Sequence, residues 1–170
     1  KWQSPTMQVE VNEAQIGWQF RPLLLSRTLK LGEVHIAELR IASTPDPDKP
    51  ASEPLKSLTL PVKIELPFKV DQIIWQGPPE AVVQDLRGRY EYTGTDHELK
   101  VSSLRFAQGA YQAQLKLQGA APMALQAEAT GDVQVPNPLD KSDDALSTIA
   151  VQARVTAEGT LATEAARLEI

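Results

Sequence analysis

The residues best suited by type to move a proton near neutral pH are the two histidines, His35 and His97. His35 lies between Val34 and Ile36, so in an alternating strand it faces away from the apolar side, toward solvent. His97 falls between Asp96 and Glu98 in a segment, Thr93 to Glu98, that reads as a turn, and is expected to be a solvated surface residue. Neither belongs to a nucleophile elbow or an oxyanion loop, so a Ser/His/Asp triad has no support. The densest carboxylates, Asp46 with Asp48 and Asp143 with Asp144, sit in loop-like sequence at spacings that match no calcium loop. Glycines are scattered singly, with no phosphate-cradling run. Cysteine is absent, which removes thiolate nucleophiles, disulfides and Cys-based zinc sites. The expectation is a protein that is not an enzyme and takes no cofactor or metal.

Charge narrows the partners further. The 170 residues carry a net charge of −5 with both signs interleaved along the chain. No basic stripe exists to track phosphates, and nucleic acid is excluded as an expected partner. No stretch approaches the ~18 consecutive apolar residues of a membrane-spanning helix, and no signal peptide opens the chain. A first residue of Lys and a final RLEI that enters a strand read as an excised piece, 1–170, of a longer chain.

What would position a ligand is therefore the apolar patterning. From Leu58 to Trp75 the order LTLPVKIELPFKVDQIIW places Leu58, Leu60, Val62, Ile64, Leu66, Phe68 and Val70 at every second residue. Period two predicts one long ribbon, apolar on one face and polar on the other. Pro61 and Pro67 lack an N–H on the same side of it, which predicts an edge strand, a bulge, or two shorter strands in line.

The chain before the ribbon alternates at Met7, Val9 and Val11 and again at Ile16, Trp18 and Phe20, as two strands joined around Asn12 to Gln15. Arg21-Pro22 then breaks the ladder, and Leu23 to Leu25 reads as a helical turn begun by proline or a buried corner. Leu29 and Leu31, Val34 and Ile36, and Leu39 and Ile41 form pairs stepped by five residues. Keeping such pairs on one face requires a bulge or corner at Gly32-Glu33 and at Ala37-Glu38. Residues 42–54, rich in proline and charge, predict a loop, as do 136–147. After the ribbon, Leu99 with Val101, Leu104 with Phe106, Leu115 with Leu117, and further alternation to Ala157 predict a meander of strands. Helix is almost absent from this reading.

Two arrangements of the apolar faces follow. In a sandwich two faces pack about 10 Å apart and fill with side chains. In the other, an elongated all-β sheet curves upon itself without closing and leaves an apolar concave groove. With only 5% aromatic residues against 42% hydrophobic ones, the lining is aliphatic and suits a chain-like ligand. The expected lining comprises Ile16 and Trp18; the stepped residues Leu29, Leu31, Val34, Ile36, Leu39 and Ile41; Leu60, Val62, Ile64, Leu66, Ile73 and Trp75 of the ribbon; and Leu99, Val101, Leu115 and Leu117. Such a trough could hold a lipid tail while its charged head stays outside, each CH₂ removed from water being worth about 0.8 kcal/mol.

In Trp18-x-Phe20-x-Pro22-x-Leu24-Leu25, the stepped Leu29-x-Leu31-x-x-Val34-x-Ile36-x-x-Leu39-x-Ile41, the Pro-rich loop, and Leu60-Pro61-Val62-x-Ile64 with Ile73-x-Trp75, the chain resembles the TamB family of AsmA-like bacterial envelope proteins. It departs at Ser26-Arg27, where the family pattern tends to place a glycine. The resemblance implies a periplasmic body anchored in the inner membrane by its parent chain. It also implies an outer-membrane barrel partner and passage of phospholipid between the membranes. The alternative is a β-sandwich or chaperone-like module that assists assembly of outer-membrane proteins or autotransporters. Exposed strand edges also allow an edge-to-edge homodimer.

Overall fold

The computed structural model describes residues 2–3, 7–19, 21–43, 57–136, 148–161 and 165–169. Its strands are β1 (Trp2–Gln3), β2 (Met7–Gln15), β3 (Trp18–Gln19), β4 (Thr28–Leu31), β5 (Val34–Ser43), β6 (Lys63–Gln76), β7 (Ala81–Tyr92), β8 (Asp96–Phe106), β9 (Gly109–Gln118), β10 (Ala124–Pro136), β11 (Thr148–Thr160) and β12 (Ala165–Glu169), with one short helix, α1 (Arg21–Ser26). All belong to a single 12-stranded sheet in the order β1-β2-β5-β6-β7-β8-β9-β10-β11-β12, with β4 beside both β3 and β6. The protein is an open, curled, mixed all-β sheet, as its alternation predicts. The described strands form one sheet rather than two, so the filled two-sheet sandwich is not their arrangement.

From β6 onward each strand pairs antiparallel with the next along the chain, which is the meander read from the spacing. Before β6 the topology differs. β4 and β5 lie end to end along β6 and run parallel to it, Leu29 opposite Ile64 and Ile36 opposite Val70. β3 and β2 continue that arrangement on the far side, pairing with β4 and β5 respectively.

The breaks between these in-line strands coincide. Gly32 donates its N–H to the Gly17 carbonyl at 2.8 Å, and a Cβ on Gly32 would meet Gly17 Cα at 3.2 Å. Only glycine allows two backbones to approach so closely. The β4–β5 side carries one residue more than β6 between the pairs Lys30–Glu65 and Val34–Phe68, so the bulge at Gly32-Glu33 falls where the five-residue step requires it. Pro67 sits opposite that gap. Its missing N–H is tolerated because the parallel ladder is interrupted there, so β6 is an interior strand with a proline and not an edge strand.

A second line of disruption crosses the sheet further along. Glu13, Ala37, Asp71 and Asp85 are each skipped in their ladders, at aligned positions on β2, β5, β6 and β7. Glu13 and Asp85 are left-handed, both at φ 52°. On β7 the exposed side chains change phase across this line, from Val82 and Gln84 to Arg87 and Arg89. The line ends in β8, where Ser102 and Ser103 bulge against β9 and Ser103 Oγ donates to the Asp85 carbonyl at 3.0 Å. The Ala37-Glu38 corner is therefore present, and Asn12 to Gln15 is a crease within one strand, not a connection between two. Bulges aligned across neighbouring strands bend them together, in keeping with the curl of the sheet.

Several boundaries differ from the reading of the sequence. Ala42 and Ser43 complete β5, while the rest of the Pro-rich loop and residues 137–147 lie outside the described residues. Pro136 ends β10. The ribbon begins at Lys63, not Leu58. Residues 57–62 cross the turn ends of the meander instead: Ser57 bridges Ala120, Leu58 N–H donates to the Gly119 carbonyl at 2.7 Å, and Lys63 N–H donates to the Arg27 carbonyl at 3.0 Å. α1 is the turn begun by proline; it leaves through Arg27, left-handed at φ 52°.

Candidate ligand groove

Residues directly opposite in a ladder share a face, so the register builds the site. Leu66, Tyr90, Leu99, Leu115, Ala127 and Ala157 form one row across the sheet. Beside it runs Phe68, Gly88, Val101, Ala113, Ala129 and Val155, continued onto β5 by Val34. Where they cross β9 to β11 the side chains shrink to alanine, leaving a hollow of about 190 Å³ between Leu99, Val101, Leu115 and Val155. An enclosed site for a compact organic ligand usually holds about 300–1,000 Å³. This hollow is smaller and open along its length, a shape that fits a slender flexible chain laid on the face.

Aromatic rings on this face lie down. Phe68 is paired with Gly88, and a Cβ there would stand 2.7 Å from Phe68 Cζ, so the ring occupies the glycine's empty side. Tyr111 does the same across Gly131, its ladder partner on β10. The Trp75 indole folds back over Gly77, with Nε1 2.6 Å from where a Cβ would be. Flattened rings add apolar surface without filling the trough.

Of the expected lining, Leu29, Leu31, Val34, Ile36, Leu39, Ile41, Ile64, Leu66, Ile73, Trp75, Leu99, Val101 and Leu115 stand half-buried on β4 to β9, and Leu117 is buried. Leu60 and Val62 are half-buried in the crossing segment, off the strand, because Pro61 and the turn ends draw the chain across the end of the sheet. Ile16 lies in the break between β2 and β3 and is exposed, at 49%. The Trp18 side chain lies outside the described residues. Ala113, Ala127, Ala129, Val155 and Ala157 were missed as lining, although Ala127, Ala129, Val155 and Ala157 already carry the period of two in the sequence.

His97 overturns its expectation. Asp96 N–H donates to Thr93 Oγ1 at 3.1 Å and Gly94 adopts φ 104°, which tightens the turn and carries His97 into β8. It stands on the apolar face opposite Tyr92 and Leu117, only 4% exposed. Its Nε2 lies 2.6 Å from the Leu58 carbonyl, which can only accept, so Nε2 carries a proton. Nδ1 is 2.7 Å from the Tyr90 hydroxyl. Burial, with a smaller contribution from Tyr92, pushes the Tyr90 hydroxyl up from its ordinary value, so near neutral pH it is protonated and can donate to that nitrogen. With Tyr92 at 1%, Met123 at 0% and Leu117 at 9% exposure, this cluster is a small closed core along one rim of the groove. With both ring nitrogens engaged, His97 clasps the crossing segment at Leu58 to β7 at Tyr90.

The other face is polar. His35 Nε2 and Lys69 Nζ both reach Asp71, each at 2.7 Å, and hydrogen bonds from Lys69 and then His35 hold the Asp71 carboxyl below its ordinary range. His35 is thus on the polar side as expected, and within hydrogen-bond distance of Asp71. Lys30–Glu65 at 2.9 Å and Arg154–Glu128 at 3.1 Å continue the pattern between strands. A larger hollow on this face, about 470 Å³, is lined by Glu98, Lys100, Lys116, Glu128 and Glu158 among others. Its charges of both signs offset one another. Among the described residues no cluster of His, Asp or Glu could hold a metal, and no helix is long and apolar enough to cross a membrane. No family model, curated protein or solved structure matches the chain.

Proposed function

We propose that this chain is a non-enzymatic length of lipid conduit, whose groove carries phospholipid acyl chains while their headgroups stay in water. The observation that carries the reading is the pair of apolar rows that run unbroken from β6 to β11 over an alanine floor. Continuous apolar rows offer dispersion contacts at any point along them and fix no position, which suits a cargo that must slide. On this reading the parent protein spans the periplasm from an inner-membrane anchor to an outer-membrane barrel partner, and this segment supplies lining alone.

The test is native mass spectrometry of the 170-residue chain after incubation with phospholipid vesicles. The native chain takes up lipid. Ala129→Lys and Val101→Asp place a charge on the floor, where desolvating it against acyl chains is costly, and reduce bound lipid at least tenfold. Gln114→Lys, on the polar face, leaves uptake unchanged. Equal uptake by folded Ala129→Lys protein overturns the reading.

A further inference from the structure

The two sides that border the apolar rows differ. Where β7 turns into β8 and β9 into β10, the row Tyr92, His97 and Leu117 is closed into the rim core and clasped to the crossing segment. Where β8 turns into β9, no such core forms among the described residues, and Phe106, opposite Gly109 in the ladder, is 42% exposed. The Tyr111 hydroxyl stands on the apolar face near that open side.

Two glycines build its position. Gly131 is the ladder partner of Tyr111 on β10, and Gly109 shares its face two residues earlier on β9. A Cβ on Gly131 would come within 2.4 Å of Tyr111 Cδ1, and one on Gly109 within 2.5 Å of the Tyr111 hydroxyl oxygen. Only residues without a Cβ let the ring lie down across both, with its hydroxyl over the first residue of β9. The chain has three tyrosines. The Tyr90 hydroxyl lies 2.7 Å from His97 Nδ1, and that of Tyr92 donates to the Gly94 carbonyl at 2.8 Å. The Tyr111 hydroxyl has no hydrogen-bond partner among the described residues. No buried side-chain oxygen among them goes unpaired, so this one is within reach of a ligand.

We propose that Tyr111 is the headgroup-side contact of the groove: its O–H donates to an acceptor oxygen of the phospholipid, phosphate or ester carbonyl, while an acyl chain lies on the alanine floor beside it. A phenol O–H is a donor that such oxygens can accept from, and they carry none of their own. Ala113 and Ala129 are the next residues on the same face of β9 and β10, about 6.6 Å further from the open side. One amphiphile therefore reaches both the floor and the hydroxyl. Headgroups leave the groove on the side of the β8–β9 turn, because the His97 side is closed by its core. The inference rests on the conduit reading and adds to it a direction across the groove.

Tyr111→Phe keeps the ring over both glycines and removes only the hydroxyl. The unfolding midpoint should stay at the native value, since no protein partner is lost. Uptake of phosphatidylglycerol from vesicles should fall about three- to tenfold, the worth of one hydrogen bond, while uptake of hexadecane, a tail without oxygen, is unchanged. Diacylglycerol separates the two acceptors: an equal fall assigns the ester carbonyl, and no fall assigns the phosphate. Gly109→Ala, which displaces the hydroxyl without removing it, should weaken phospholipid uptake as Tyr111→Phe does. The chain lacks cysteine, so a fluorophore on Gln108→Cys, in the β8–β9 turn, or on Thr95→Cys, in the β7–β8 turn, reports each side. A nitroxide on the lipid headgroup should quench the first and spare the second. Phospholipid uptake by Tyr111→Phe equal to that of the native chain overturns the assignment. So does a parallel loss of hexadecane, or quenching at Thr95→Cys that matches that at Gln108→Cys. A native chain that takes up neither phospholipid nor hexadecane overturns the conduit reading, and this contact with it.

Discussion

The half of the sheet formed by β2 and β5 to β8 and the half formed by β9 to β11 carry the same apolar rows, yet only the first is creased. In the creased half every strand changes phase once, at Glu13, Ala37, Asp71, Asp85 or the Ser102–Ser103 bulge, and the side chains on it are large. In the smooth half Tyr111, Ala113, Leu115 and Leu117 alternate without interruption, and small residues dominate β10 and β11. The comparison teaches that curvature and floor are supplied separately. Bending comes from backbone irregularity shared across strands, whereas room for a ligand comes from alanine on strands that do not need to bend.

Substitutions at equivalent glycines sharpen this contrast. Gly88→Val in the creased half is expected to be the most damaging change, because its Cβ would collide with the Lys100 carbonyl as well as the Phe68 ring. Backbone cannot step aside, so a loss of about 3 kcal/mol in chemical denaturation is expected. Met123→Ala, which empties a fully buried site in the rim core, should cost about 2–4 kcal/mol. Gly131→Ala in the smooth half meets only the Tyr111 ring, which can swing away, and should cost about 1 kcal/mol. If Gly131→Ala proves as harmful as Gly88→Val, the smooth half is not the more permissive one. Glu13→Gly tests the crease itself: relieving a left-handed glutamate should leave stability unchanged or raise it by about 0.5–1 kcal/mol.

The smallest effect expected is a pH dependence on the polar face. The Asp71 carboxyl is held below its ordinary value by Lys69 and then His35, so its contribution is present above the usual carboxylate range. It is lost as pH falls through the depressed folded value. Asp71→Asn should remove that acid-limb component, and added salt should weaken it in the native chain, since the group is exposed. An acid limb identical in the two proteins would show that the Lys69–Asp71–His35 contact is incidental.

Much of this was legible because period two and its interruptions are written directly in residue order. The five-residue steps from Leu29 to Val34 and from Val34 to Leu39 by themselves mark the bulge at Gly32-Glu33 and the crease at Ala37. Pro67 reads in the sequence as an edge, a bulge or a break of the ribbon itself, whereas β6 runs through it as an interior strand and the gap lies between its in-line neighbours β4 and β5, a property of the pairing and not of the strand. His97 and the segment from Ser57 to Val62 were misread for one reason. Their partners, Leu58 with His97 and Ser57 with Ala120, lie far apart in the chain, and contacts of that span leave no local pattern. The alanine floor was overlooked because small residues signal by what they leave empty.

The parallel junction of β5 with β6 also sets an order of assembly. From β6 to β12 each strand meets its sequence neighbour, so those pairings close short loops and can form early. Val34 meets Phe68 only after the chain between Ser43 and Lys63 has returned along the sheet, a closure that must be met before its contacts yield anything. The sheet from β6 to β12 is thus expected to exist while β5 and β2 are still arriving, and the docking of β5 on β6 to be the slow step of folding. Lengthening the connection between β5 and β6 would slow that docking only gently, since doubling a flexible loop costs about 0.6 kcal/mol.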